Sequence, residues 1–375
     1  MQTDLPLVLL GGLTAQQFMR RHWQKTPLLV RQAIPDFAPP VLRPRLFELA
    51  GQEGVESRLA QNVNGHWSLR KGPVPRRSLP PLSRPNWTLL VQGVDLHDDA
   101  IHTLMNRFRF IPDARLDDLM ISFATDGGGV GPHFDSYDVF LLQAHGQRRW
   151  RIGRQKDLRL RDDVPMKILA DFQPEQDYVL NPGDMLYLPP GWAHDGIAQG
   201  QCMTYSVGFR VPERRELARE LLPRLADEDG IDGLHRVLYR DAQQPAVQAP
   251  AEIPATLTAF ARDALERALA EPLALERALG EALTEPKSHV WFDPGQGTGL
   301  ERGIVLDRRT RMLFDSQHVF INGESYRASG RDAALVRKLA NDRCLGTREL
   351  RKASADAMAL LASWGDAGWL HTTEN

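Results

Sequence analysis

"GGGVGPHFDSYDVFLLQAHGQRRWRIG", residues 127–153, is the stretch whose reading decides the fold. Glycines and Pro132 mark a turn, and two β-rich runs, "YDVFLLQ" and "RRWRIG", follow on either side of a second turn, "AHGQ". Just after the first turn stand His133 and Asp135, two positions apart. Residues i and i+2 of a β-strand face the same way. One imidazole and one carboxylate therefore project into the same space, and Phe134 packs on the opposite side. Most His-x-Asp pairs are polar residues at strand edges, so this pair needs a third partner before it signifies a metal site.

Working outward, short β-rich runs continue from about 86 to 210: "WTLLVQGV", "LMISFAT", "DYVL", "DMLYLPP" and "MTYSVGFRV". Many short strands without long helices between them predict a barrel or jelly roll. Within this region "VLNPGDMLYLPPGWAH" reads as a Pro-Gly turn, a strand and a second turn that ends in His194, 61 positions after His133. Two histidines and one carboxylate on one face of a metal leave three positions open, the arrangement of non-haem Fe(II) oxygenases. The other nine histidines, His145 in "AHGQ" among them, have no such support.

An oxygenase of this kind needs a co-substrate that supplies two electrons, and 2-oxoglutarate is the commonest. Its keto-acid end chelates iron and its distal carboxylate needs a buried cation. "QRRWRIG" offers Arg148, Arg149 and Arg151. Trp150 and Ile152 are the natural inward residues, so Arg148 shares their face while Arg149 and Arg151 point outward. A guanidinium grips a carboxylate through two parallel bonds. Ser122 in "LMISFAT" can add a hydroxyl.

The flanks read differently. "LTAQQFMRRHWQ" (13–24) suits a short helix with Thr14 as its cap. After "RVPE" residues 213–240 are helical in pattern, "QQPAVQAPAEIPA" (243–255) is a Pro/Ala linker, and "LTAFARDALERALA" (257–270) puts apolar residues on one helix face until Pro272. "MLFDSQHVFINGESYRAS" reads as a hairpin turning at Asn322-Gly323, with helices in "DAALVRKLAND" and "ADAMALLASWGDAGWL". From 301 to 352 twelve Lys/Arg stand against seven Asp/Glu. Helices around a basic hairpin suggest a winged helix.

Composition limits the function. The net charge of −2 argues against a coat for non-specific nucleic-acid binding, and Cys202 and Cys344 make neither a disulfide framework nor a zinc pattern, as fits a reducing cytosol. "LPLVLLGGL" near the start follows Asp4, with no basic residue before it and no cleavage site after it. It is not expected to be a signal peptide, and no apolar run approaches a membrane span. A cytoplasmic protein without membrane contact is the expectation.

At this point the residues resemble a family. "HWQKTPLLVRQA", "NWTLLVQGVD", "ISF…GGGVGPHFDSYDVFLLQ…GQRRWRIG", "PGDMLYLPPGWAHDG" and "TYSVGFRVP" are similar to the bacterial JmjC ribosomal oxygenases, 2-oxoglutarate-dependent arginine hydroxylases of a large-subunit ribosomal protein. The resemblance covers essentially the whole chain. It implies an α+β chain: a JmjC double-stranded β-helix (jelly-roll, cupin) barrel in 1–212, a helical dimerisation region in 213–278 and a winged helix in 279–375. It implies Fe(II) at His133, Asp135 and His194, 2-oxoglutarate at Ser122 and Arg148 with O2 as the other co-substrate, and a homodimer. "AHGQ" stands where the family often has Gly-Thr-Gly, and Thr204 where it often has Asn; neither is a ligand. For substrate, Asp126 in the glycine loop and Tyr137 after the metal strand could hold a guanidinium. Related JmjC oxygenases act on histidine or other residues, so the target stays open. The rival class is a non-catalytic assembly module that touches ribosomal protein or rRNA through the basic C-terminal domain, and a winged helix that reads DNA is a third reading.

Overall fold

Thr14 opens the first helix: its hydroxyl accepts from the Gln17 backbone while the Gln17 side chain accepts from the Thr14 N–H. This reciprocal cap fixes α1 at Ala15–Arg21. The computed structural model describes residues 3–226, 237–295 and 302–373, and the chain divides into two compact units between Val211 and Pro212.

The first unit continues through β1 (Leu28–Val30), α2 (Arg43–Ala50), β2 (Ser57–Val63), β3 (His66–Lys71), β4 (Trp87–Val91), α3 (Asp99–Met105), β5 (Leu116–Ala124), β6 (Val139–Arg154), β7 (Gln176–Leu180), β8 (Met185–Leu188) and β9 (Trp192–Phe209). The strands form one antiparallel sheet in the order β1-β8-β6-β9-β5-β4-β2-β3, with β7 also on β6. It is a jelly-roll barrel in which two long strands serve both walls. The Val139–Leu142 half of β6 pairs with β8 and the Arg148–Ile152 half with β7, while β9 accompanies β6 throughout.

That layout corrects the sequence reading of "AHGQ". It is not a turn between two strands but a bulge within one, with register shifts on both sides of His145. Gly146 sits there at φ +61°, and a Cβ would meet the Gln201 carbonyl oxygen at 2.2 Å, so only glycine fits. Gln143 closes the bulge by donating to the carbonyls of His145 and Gly146.

Alternation along β6 separates core from cavity. Phe140 and Leu142 enter the main core, where Phe140 meets Phe108 and Tyr187 with centroids 4.9 Å apart; Val139 and Leu141 line the cavity on the other face. The buried Asp138 ties this strand down, accepting from the Tyr187 hydroxyl at 2.6 Å and the Gln24 side chain at 3.2 Å.

The second unit contains α4 (Arg214–Ala226), α5 (Ala255–Ala270) and α6 (Ala274–Thr284). The helical reading of 213–240 is cut short: α4 ends at Ala226, residues 227–236 lie outside the described ones, and 237–240 are not helical. Helix α5 buries none of its side chains, leaving Leu257, Leu265 and Leu269 in solvent. The remainder comprises β10 (Ile304–Leu306), β11 (Met312–Phe314), β12 (His318–Ile321), β13 (Glu324–Arg327), α7 (Gly330–Asp342), β14 (Cys344–Leu345), α8 (Thr347–Leu350), α9 (Ala355–Asp366) and β15 (Leu370–Thr372). Strands β12 and β13 form the hairpin expected at Asn322-Gly323, both at positive φ as a type I′ turn requires. The second sequence helix stops at Asp366: residues 367–369 turn, and Leu370 begins β15. Leu335, Leu339, Leu361 and Trp364 fill the core of this part. No helix among the described residues is long and apolar enough to cross a membrane.

Candidate active site

Strands β5, β6 and β9 and the segment before β6 enclose a cavity of about 540 Å³, lined among others by Ser122, His133, Asp135, Arg148, Trp150 and His194. His133, Asp135 and His194 each offer one ligand atom, and these atoms lie within 4.8 Å of one another. They meet by a route the sequence reading did not foresee. His194 belongs to strand β9 rather than to a turn, and His133 and Asp135 precede β6 instead of sitting in a ladder. His133 makes a single antiparallel bridge, exchanging both backbone hydrogen bonds with His194 at 3.0 and 2.7 Å. Pro132 has no N–H to extend that bridge. The Asp135 carbonyl accepts from Gly191 N–H at 2.8 Å, which holds the other end of the segment.

Both imidazoles are aimed by backbone carbonyls. Nδ1 of His133 lies 2.9 Å from the Gly131 oxygen, and Nδ1 of His194 lies 3.0 Å from the Trp192 oxygen. A carbonyl only accepts, so each Nδ1 carries the proton and each Nε2 keeps its lone pair for a ligand role. The rings stand 4.3 Å apart and Nε2 of His194 is 3.7 Å from Asp135. Burial, and then the neighbouring His133, push the His194 pKa down to about 4. It is therefore neutral near pH 7, the form that binds metal. Two imidazoles with inward Nε2 atoms and a carboxylate fit a divalent transition metal.

Strand β6, paired with β9 beside His194, carries Arg148, 5% exposed. Its Nη1 donates to the Ser122 hydroxyl at 3.2 Å, and that hydroxyl donates on to the Thr204 carbonyl. Nε and Nη2, the two donors of the fork's other edge, are buried without a hydrogen-bond partner among the described residues. A buried guanidinium left in that state is costly unless an anion completes it. Its neighbours point out: Arg149 pairs with Asp177, and Arg151 with Asp195 at 2.5 Å. Thr204 lies across from Ser122 and donates to Gln143 at 3.0 Å, so its hydroxyl supports the β6 bulge rather than the cavity.

Of the two substrate-side candidates, only Tyr137 lines the cavity. Its hydroxyl is pushed up in pKa by burial and by Asp135. Asp126 is exposed, is not among the residues lining this cavity, and its carboxylate accepts from Gly200 N–H at 2.8 Å. An Asp in a glycine turn does there what such residues usually do, capping backbone donors. Besides Asp135, the acidic groups that line the cavity are Asp117 and Asp118 on β5. Stepping back by twos from Ser122 gives Met120 and Asp118 on the same face, a signal the sequence contained.

A jelly roll with two histidines and a carboxylate converging in its cavity, and a buried arginine on the same walls, defines the cupin-type oxygenase class. A family model for the JmjC domain matches residues 103–217, and one for a ROXA-like winged helix matches 267–371. The ribosomal protein uL16 3-hydroxylase of Escherichia coli is 33% identical over 365 residues, covering 94% of this chain and 96% of that protein. A probable ribosomal oxygenase of Haemophilus influenzae is 35% identical over 216 residues, 55% of this chain and 52% of that one. A crystal structure of the Escherichia coli ribosomal oxygenase YcfD in complex with cobalt and 2-oxoglutarate superposes with a TM-score of 0.80, at 30% identity over 96% of this chain and 99% of that one. The chain belongs to the JmjC family of ribosomal oxygenases.

Proposed function

We propose that this chain is an Fe(II)- and 2-oxoglutarate-dependent hydroxylase of an arginine side chain in a large-subunit ribosomal protein. His133, Asp135 and His194 hold the metal, and Ser122 and Arg148 hold the distal carboxylate of the co-substrate. The observation that carries the reading is the open edge of the Arg148 guanidinium, in the same cavity as the three metal-binding atoms. Bound metal and 2-oxoglutarate supply the activation of oxygen; the chain's own residues bind, orient and exclude water. The ribosomal substrate follows the names of the relatives, and the crystal with cobalt and 2-oxoglutarate supports the ligand pair. The arginine follows the sequence resemblance; the ring of Tyr137 and the carboxylates of Asp117 and Asp118 in the cavity wall suit a cation, with Asp117 also paired to Arg210 and Asp118 also accepting from Gly93 N–H.

Purified protein given Fe(II), 2-oxoglutarate and ribosomal proteins should release succinate and add the mass of one oxygen to one ribosomal protein. Replacing the modified residue by lysine should end turnover if arginine is the target. Succinate release that is indifferent to ribosomal protein would sink the reading. A ribosomal-protein substrate fits a cytoplasmic location, and the exposed apolar residues of α5 support a homodimer; light scattering should give twice the chain mass at micromolar concentration.

A further inference from the structure

We propose that Trp150 is a third co-substrate donor: its indole N–H bonds the 2-oxoglutarate carboxylate that Arg148 receives. The proposal rests on the reading of the site given above. Trp150 follows Arg148 by two positions on β6, so both side chains stand on one face. It is 5% exposed and lines the cavity. Its six-membered ring lies against Gly196, where a Cβ would come within 2.6 Å of Cζ3 and Cη2. Nε1 belongs to the opposite edge of the indole.

The indole lies between the two ends of the ligand's path. Its centroid is 5.7 Å from Cζ of Arg148 and 5.8 Å from the ring of His194. Its Nε1 is buried with no hydrogen-bond partner among the described residues, as are Nε and Nη2 of Arg148. A buried indole N–H ordinarily finds an acceptor. Three such donors from adjacent inward positions of one strand have a common solution, a carboxylate that accepts from all of them. The ring itself then walls the carbon chain between that carboxylate and the metal-binding end.

The test is direct binding, with no turnover. Full-length protein loaded with Zn(II) is titrated calorimetrically with 2-oxoglutarate and with pyruvate, which has the keto-acid end but no distal carboxylate. Trp150→Phe keeps a ring against Gly196 and removes the donor. It should weaken 2-oxoglutarate by about tenfold, the ordinary worth of one hydrogen bond to a charged group, and leave pyruvate unchanged. Undiminished 2-oxoglutarate binding overturns the proposal. So does an equal loss for both acids, which assigns the ring to packing alone. Wild-type protein that binds neither acid overturns the underlying reading of the site, a distinguishable result. A second measurement needs no variant: among the eight tryptophans, one indole N–H resonance of the Zn(II)-loaded wild type should move downfield with 2-oxoglutarate and stay in place with pyruvate. No such movement overturns the proposal too.

Discussion

The metal-binding atoms and the Arg148 guanidinium share one cavity but are prepared in opposite ways. At the triad, backbone carbonyls at 2.9 and 3.0 Å satisfy each imidazole's outer nitrogen, so the inner nitrogens are set by the fold alone. Arg148 has one hydroxyl for company and two donors with none among the described residues. One site is finished before its ligand arrives; the other is electrostatically incomplete until it does. Preorganisation by backbone resists small perturbation, whereas a buried charge awaiting its partner makes ligand binding and stability hinge on a single side chain.

Removing a metal-binding side chain gives the largest effect. His133→Ala or Asp135→Ala should abolish succinate release, because two remaining ligands do not hold the ion against water. Full activity of His133→Ala at limiting iron would break the comparison at its first term. Arg148→Ala comes next: loss of one partner of a buried charged pair costs about 3–5 kcal/mol, or roughly two to three and a half orders of magnitude in 2-oxoglutarate affinity. Arg148→Lys should recover only part, since an ammonium keeps the charge without the fork. Titrating the co-substrate at saturating iron reads both.

A smaller effect is expected from protons. His194 has a lower pKa folded, about 4, than the usual value of 6.5. The unfolded chain thus takes up a proton first, and the metal-free protein should lose stability as pH falls from about 6.5 to about 4, with no further loss from this group below that. Urea midpoints across that range should fall in wild type and fall less in His194→Gln. Smallest of all are the outward residues. Arg149→Ala removes a half-exposed pair with Asp177, worth about 0–1 kcal/mol. Asp126→Ala removes a cap on Gly200. Neither should change 2-oxoglutarate affinity. A large loss in Arg149→Ala would show that the β6 register is wrong.

Much of this was legible in the chain, and the failures have physical reasons. Strand alternation separated Arg148 from Arg149 and Arg151, because a two-residue period survives wherever one face is buried. The same period applied to β5 reaches Asp118 in the cavity lining, whereas the glycine loop of Asp126 has no period to read. The bulge at Gly146 was mistaken for a turn because both call for glycine at positive φ; only the partner strand, which continues past it, tells them apart. His133 and Asp135 were placed on a regular strand, yet a single bridge to His194 suffices, since that bond pair depends on a residue far along the sequence. The Asn-Gly hairpin was readable because its turn is local.

The donor set has a consequence outside the molecule. Two imidazoles and one carboxylate favour no single divalent ion; such sites bind copper, nickel and cobalt at least as tightly as ferrous iron. Nothing in the geometry of His133, Asp135 and His194 reverses that order. Which element fills the position is then decided by supply; with the proposed iron chemistry, a cell starved of iron or flooded with a competitor would hold a fully folded, metal-filled and silent protein.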